Sequence, residues 1–516
     1  METDVLIIGS GVSGLSCALN LVKKDPNCKV IILDKSLEGE CNTRHAQGGL
    51  AAVMDPSRDD FFFHYQDTME AGRYKSFPHV VKYLVENAPS GIQDLSNWGV
   101  GFDRDSKGGL VLGLEGGHSQ PRIVHYKDCT GSEIHQKLLL QIKQHPNIHL
   151  LKGTFTIDLI TNDLEEKANQ KVCFGAWGVD LTKNEVFRIF SGATVLATGG
   201  TGWMFEKTTN PSIATGDGLA MAIRAGARTR DLNHYQFHPT AIHQKKNDRA
   251  LLITEALRGA GAHIVNYQLE RFLFNGDSRG ELATRDVVTH LIQEEMQKSG
   301  MPNVYLDARH LGKEKLESRF PQVVLNCSQI GLHPAEDLIP IAPAAHYQCG
   351  GISVDLNGLS SIAQLYALGE CAGTGLHGAN RLASNSLIEG VVFAKNVALT
   401  ILSAQNQTQI IGPTQKENNQ IQGKLDRREC PVGIDNLLNQ LKTEMSAIML
   451  RSENYQRGVL GAKIMEWKKL VDNAFQKNKF NQKILEIRNL LDVAEKVIDF
   501  PLNKNMDVEY HENFQV

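Results

Sequence analysis

The chain has 516 residues, of which 41% are hydrophobic and 22% charged, with 46 glycines and a formal net charge of −4. At roughly 100–200 residues per domain this length predicts two to four domains, and the composition excludes a collagen-like, coiled-coil or wholly disordered chain. The slightly acidic balance gives no basic surface for nucleic acid or an anionic membrane.

Four residues precede the first strand-like run, Val5-Leu6-Ile7-Ile8, which leaves no room for a secretory signal. Gly9–Gly14 reads as a tight turn, Leu15 to Lys24 as a helix and Lys29 to Leu33 as a second buried strand. That is a βαβ unit with parallel strands. The turn, Gly9-Ser10-Gly11-Val12-Ser13-Gly14, is a G-x-G-x-x-G in its proper context. Gly9 permits the turn, Gly11 lets a pyrophosphate approach the backbone, and Gly14 lets helix and strand pack closely. The helix N-terminus behind it faces the phosphates. Asp34 ends the second strand twenty residues past Gly14, placed for ribose hydroxyls. Ser10, Gly11, Ser13, Gly14, Asp34 and Lys35 are therefore candidate dinucleotide residues.

Asn42 to Ala52 has little strand or helix character and reads as an extended loop able to run along a flat ring. It contributes Asn42, Thr43, Ala46, Gln47, Gly48 and Gly49 as candidates. The strand Ala193–Ala197 runs into Thr198–Gly202, and Gln364–Leu368 runs into Gly369-Glu370. One sheet assembled from distant pieces is expected, with the segment 232–346 inserted. Thr215–Gly218 is a second ligand-facing loop and supplies Asp217. Arg381–Leu387 precedes a helix, where Ser386 and Leu387 place a helix N-terminus against a ring that becomes anionic on reduction. No apolar run approaches the roughly 18 residues of a membrane span. Gln405 to Gln422 reads as a polar linker, Ile434 to Val497 as helical, and the tail from Asn503 as frayed. Nine scattered cysteines without a C-x-x-C pair fit reduced thiols in a cytosolic protein.

His238, Arg285, His346 and Arg381 sit in glycine- or turn-rich stretches. Two arginines suit a dicarboxylate, since each guanidinium holds a carboxylate bidentately. Histidines add donors and proton transfer. His234, His238 and His243 do not suggest a metal, because Pro239 breaks the helix that would align them and no acid completes the set.

Together, Gly9–Gly14, Asn42–Ala52, Gln236–Thr240, Glu255–Gly259, Arg285-Asp286, Ala344–Tyr347 and His377–Leu387 resemble the succinate dehydrogenase / fumarate reductase flavoprotein family, in order over about residues 3–400. Within that family the chain is most similar to the members that oxidise L-aspartate. The resemblance implies an α/β fold: a discontinuous Rossmann-like FAD-binding domain (1–231 and 347–404), a capping domain (232–346) and a C-terminal helical domain (423–516). It places the active site between the first two. Family members with covalent FAD carry a histidine five residues before the glutamine of Gln47-Gly48-Gly49; here that position is Asn42, which implies non-covalent FAD. Succinate dehydrogenases typically have Gly-Gly-Gln-Ser where this chain has Glu115-Gly116-Gly117-His118-Ser119. A carboxylate there accommodates an α-ammonium.

The resemblance further implies that Arg381, His346 and His238 hold two carboxylates, that Gln236, Thr254 and Glu255 line the pocket, and that Arg285 is the acid/base group. Hydride would pass from L-aspartate to FAD, giving 2-iminosuccinate. Oxygen or fumarate would reoxidise the flavin, and the product would feed quinolinate synthase in cytoplasmic NAD synthesis. The alternative is a soluble fumarate reductase or succinate dehydrogenase flavoprotein; a non-catalytic FAD scaffold is a further reading.

Overall fold

The computed structural model describes residues 1–162, 171–244, 249–405, 433–451, 454–478 and 481–499. Its first strand, Glu2–Ile8, buries Val5, Leu6 and Ile7 completely. A strand covered on both faces reads as a continuous apolar run rather than an alternating one, and that is the form these residues take. The strand pairs in parallel with Val30–Asp34 on one side (Val5 opposite Val30) and with Glu185–Leu196 on the other (Val5 opposite Ala193). Ile148–Lys152 extends the sheet beyond Val30–Asp34, and Leu365–Ala367 pairs with Thr194–Leu196. Sequence segments more than 150 residues apart thus form the parallel part of one sheet, as expected from the strand–glycine pattern.

Several local expectations are revised. The first helix is Val12–Lys24, so it starts three residues earlier than Leu15, inside the glycine turn. Ala193–Leu196 is only the end of a twelve-residue strand, and Ala197 lies just beyond it. The earlier half of that strand pairs antiparallel with Cys173–Asp180, which pairs in turn with Thr154–Thr161. Asn42–Ala52 is not wholly extended. It holds a 3-10 turn, Thr43–His45, and a two-residue strand, Leu50–Ala51, paired with Ile123–Val124. Asp217 is not in a loop but opens the helix Asp217–Arg224, because Gly216 turns the chain at φ 68°. His238 and His346 are not on turns; they lie on the antiparallel strands Tyr235–Ile242 and Ile339–Gln348. The run around His238 is a strand rather than a helix, with His234 and His243 just outside its ends and a register shift after His238 beside Pro239.

One helix among the described residues, Asn385–Ala404, is long and apolar enough to cross a membrane by length and composition, contrary to the sequence reading. Its mean hydropathy is 1.6, yet 61% of that window is buried inside the protein. It shares an apolar cluster with Val12–Lys24, which accounts for its hydropathy. A second cluster joins the other face of the sheet to the helices Ile434–Arg451, Asn454–Asn478 and Gln482–Asp499. A third cluster, from Ile242 to Ile341, packs the inserted segment on itself. The linker expected at Gln405–Gln422 lies beyond Gln405 outside the described residues, as does the tail from Asn503.

Candidate active site

One cavity runs from the glycine turn to the arginine–histidine cluster. At its first end, Gly9 takes φ +113°, and a Cβ there would lie 2.1 Å from the Ala197 carbonyl oxygen. A Cβ at Gly14 would lie 2.1 Å from the Gly9 carbonyl oxygen, so Gly14 serves helix–strand packing and does not line the cavity. Ser10, Gly11 and Ser13 do line it. The Ser10 hydroxyl donates to Asp34 Oδ2 at 2.6 Å, and the Ser36 amide donates to Oδ1 at 2.8 Å. Burial raises the Asp34 carboxyl above its usual range, and these two bonds work against that rise.

Thr43, Ala46, Gln47, Gly48 and Gly49 continue the wall, with Glu370, Ser386 and Leu387 opposite. Asn42 donates Nδ2 to Asn210 Oδ1 (2.7 Å) and to Glu370 Oε2 (3.0 Å). Gln47 donates Nε2 to the Leu252 carbonyl at 2.9 Å. Both amide oxygens, Asn42 Oδ1 and Gln47 Oε1, are buried without a hydrogen-bond partner among the described residues. Buried polar atoms are normally satisfied, so these two fit a ligand that brings donors. The helix Asn385–Gln405 presents its first turn, with Ser386, to the same space. The residues present therefore fit a flavin dinucleotide laid along this wall.

At the other end, Gln236 does not touch the cavity but organises it. Its Oε1 accepts from Arg285 Nη1 (2.9 Å), Arg381 Nη2 (3.1 Å) and Arg381 Nε (3.3 Å). Its Nε2 donates to Asn380 Oδ1 and the Arg381 carbonyl, both at 2.7 Å. One amide oxygen thus holds two buried like charges together. Arg381 also donates to the Ser386 hydroxyl and lies over the Tyr347 ring, 4.2 Å from its centroid. Burial and the Arg285 charge lower Arg381 to about 10. Two crowded guanidiniums of this kind gain from an anionic ligand.

Arg285 opens the helix Arg285–Ser299, and Thr254 caps the short helix Glu255–Gly259. Arg285 Nε donates to Glu255 Oε2 at 2.6 Å, and Arg258 donates to the other Glu255 oxygen. Burial pushes the Glu255 carboxyl up, but Arg285 and Arg258 overcome it and hold it below the usual range. Arg285 Nη2 has no hydrogen-bond partner among the described residues and belongs to the cavity lining.

His238 and His346 meet edge to face, with ring centroids 4.9 Å apart. His238 Nδ1 accepts from the Thr240 amide at 3.3 Å, which leaves the proton on Nε2. That Nε2 is buried and has no partner among the described residues, so it is a donor awaiting an acceptor. His346 Nδ1 bonds the Thr209 hydroxyl at 2.8 Å. Burial and the Arg285 charge keep both rings neutral, well below the usual histidine range.

Glu115 is 2% exposed. The Ser384 hydroxyl donates to its Oε2 at 2.6 Å and accepts from the Gly49 amide at 3.1 Å. Ser384 takes φ 61°, a conformation a serine rarely adopts, so it is held there by its neighbours. Glu115 Oε1 keeps no partner among the described residues and lies beside Gly48. Burial raises the Glu115 carboxyl, the Glu255 charge raises it further, and Arg285 pulls it down. Ser384 was not singled out from the sequence, although it lies within the motif 377–387.

Behind Glu115 is a buried polar network that the sequence did not reveal. Arg122 is fully buried and forms a fork to Asp59 at 2.8 Å through both Nε and Nη2. It also reaches Asp67 and His118 Nδ1, the latter at 3.0 Å. His118 Nε2 bonds the Ala383 carbonyl at 3.0 Å, and His64 Nε2 bonds Asn385 at 2.9 Å. Burial and the Arg122 charge lower both His64 and His118 to about 3. In the unfolded chain each titrates near 6.5. Below that pH the unfolded state binds protons the folded state refuses. Stability is therefore complete above about pH 6.5 and falls by about 1.4 kcal/mol per pH unit for each histidine toward pH 3. Denaturant midpoints measured at pH 7.5 and 5.5 should show the drop, and equal midpoints would contradict neutral burial.

The cavity therefore joins the glycine turn to a buried cluster of two arginines and two histidines. All predicted residues except Gly14 and Gln236 line it. The FAD binding domain family matches residues 4–387. The chain is 38% identical to L-aspartate oxidase of Yersinia pestis over 509 residues, covering 96% of this chain and 92% of that one. It is 42% identical to a chloroplastic L-aspartate oxidase of Nicotiana tabacum over 79% of this chain; it spans 63% of that relative's length. A solved structure of an E. coli quinol fumarate reductase variant superposes with a TM-score of 0.86 at 28% identity, covering 97% of this chain and 88% of that one. On the strength of this fold, this FAD cradle and this near full-length match, the chain belongs to the L-aspartate oxidase family of FAD-binding oxidoreductases.

Proposed function

We propose that this chain oxidises L-aspartate to 2-iminosuccinate with non-covalent FAD, reoxidised by oxygen or fumarate, as the first step of de novo NAD synthesis in the cytoplasm. The observation that carries the reading is a buried carboxylate, Glu115, with a free oxygen in the same cavity as Arg285 and Arg381. When bound, FAD supplies a hydride acceptor. Asn42, Gln47, Gly48 and Gly49 would hold its ring, and Asp34, Lys35 and the glycine turn its adenosine and phosphates.

The chain's own residues supply position and charge. Arg381, His238 and His346 hold the two substrate carboxylates. Glu115 Oε1 receives the α-ammonium, and that cation favours the ionised form that burial opposes. Arg285 keeps a proton at Nη2 and donates it when fumarate is reduced. Segment 232–346 caps the site and excludes water on closing. Quinolinate synthase is the consumer of the product in this reading.

The test is anaerobic addition of L-aspartate, and separately succinate, to the FAD-loaded protein. Bleaching of the flavin by L-aspartate alone is expected. Bleaching by succinate alone would favour the fumarate reductase reading instead, and no response to either would favour the scaffold. Glu115→Gln should raise KM for L-aspartate about tenfold to a hundredfold, the worth of a hydrogen bond to a charged group, and leave succinate binding little changed. Because Glu115 is raised, kcat/KM for L-aspartate should climb with pH through a value above the usual carboxylate range. Glu115→Gln should lose that limb.

A further inference from the structure

The three C-terminal helices share one apolar cluster with the Leu6, Ile8, Ile31 and Leu33 face of the sheet. At the adenosine end of the cavity this contact becomes polar. Lys35 follows the ribose acid Asp34 and lines the cavity. Its ammonium meets Thr215 Oγ1 at 2.7 Å, Asp217 Oδ2 at 2.8 Å and Glu486 Oε1 at 3.0 Å. Three donors find three acceptors. Burial pulls the Lys35 ammonium down, but the Asp217 and Glu486 charges prevail and hold it above its usual value. Asp217 Oδ1 accepts from Asn489 Nδ2 at 2.9 Å and from the Thr215 hydroxyl at 2.8 Å.

Glu486 and Asn489 are three residues apart on Gln482–Asp499, hence on one face of that helix. The same face is fastened a turn further on. Arg224, at the end of the helix that Asp217 opens, donates Nη1 to Asn489 Oδ1 (2.8 Å) and to Asp492 Oδ2 (2.7 Å). Glu486 and Asn489 themselves do not line the cavity; they stand directly behind two residues that do.

We propose that the last described helix, Gln482–Asp499, is a working part of the FAD site. Glu486 and Asn489 are positioning residues that hold Lys35 and the Thr215–Asp217 turn against the adenosine half of the cofactor. The inference rests on the assignment of Asp34 to the ribose. It gives the C-terminal helices a role in cofactor retention that no single motif announces.

The experiment is a titration of the deflavinated full-length chain with FAD, followed by flavin fluorescence. The double variant Glu486→Gln/Asn489→Ala should weaken FAD binding at least about tenfold, while the melting temperature of the apoprotein moves by only a few degrees. Glu486→Asp alone, which keeps the charge, should recover most of the affinity. Unchanged FAD affinity overturns the proposal. So does a loss of affinity that tracks a collapse of apoprotein stability and is not recovered by Glu486→Asp, since that is a merely structural role. Asp34→Asn tests the underlying assignment separately: if it leaves FAD affinity intact, the adenosine half does not lie here and the proposal falls with it.

Discussion

Arg285→Leu is expected to lower kcat/KM for fumarate reduction about a thousandfold, within the range a positioned acid contributes, and to weaken L-aspartate oxidation as well through the lost guanidinium in the cavity. That is a loss of about 4 kcal/mol of transition-state stabilisation. The geometry explains the size. Arg285 is fastened by Glu255 at 2.6 Å and by Gln236 at 2.9 Å, which leaves Nη2 for the substrate. Leucine removes that donor. It also strands Glu255 with Arg258 as its remaining cation and relaxes the crowding that lowers Arg381. The measurement is steady-state kinetics in both directions. If both activities survive within about tenfold, Arg285 is not the proton-handling group. A large rise in KM with kcat unchanged would instead make it a binding residue.

Arg122→Leu is expected to destabilise the protein by about 3–5 kcal/mol, the usual cost of removing one partner of a buried ion pair. Arg122 is fully buried, and the Asp59 side chain is 2% exposed, so solvent cannot replace the lost guanidinium. Asp67 and His118 Nδ1 lose a donor at the same time. The double variant Arg122→Leu/Asp59→Leu should recover part of that loss, because it removes the stranded charge as well. Denaturant unfolding measures both. A loss below about 1 kcal/mol for the single variant would mean that water enters the site and screens the aspartates. His118 also ties the Glu115 loop to Ala383, next to Ser384. The single variant should therefore bind L-aspartate more weakly even where it remains folded.

Much of this site was legible because its signals are local. The turn Gly9–Gly14, the acid at Asp34 and the run Asn42–Gly49 each combine a residue type with a fixed spacing, and the structure gathers them along one cavity. Arg285, Arg381, His238 and His346 were found by type and by resemblance, and they line the same space. What the sequence misjudged was their setting. His238 and His346 sit on paired strands rather than turns, and Asp217 starts a helix. Polar residues resemble turn formers in a local reading, whereas here they are held by cross-strand partners far away in the chain.

The sequence by itself determined the parallel strands of the sheet and the dinucleotide turn, because backbone geometry and hydrophobic period are properties of neighbouring residues, while the flavin came from the family resemblance. Only the tertiary structure decided how charges balance. Gln236 bridging two arginines, Ser384 bonded to Glu115, Arg122 buried between two aspartates, and Glu486 behind Lys35 all join residues between 49 and 451 positions apart. Such pairings carry no periodic signal. They are fixed by the need to satisfy each buried charge, and that need arises only once the chain has closed around it.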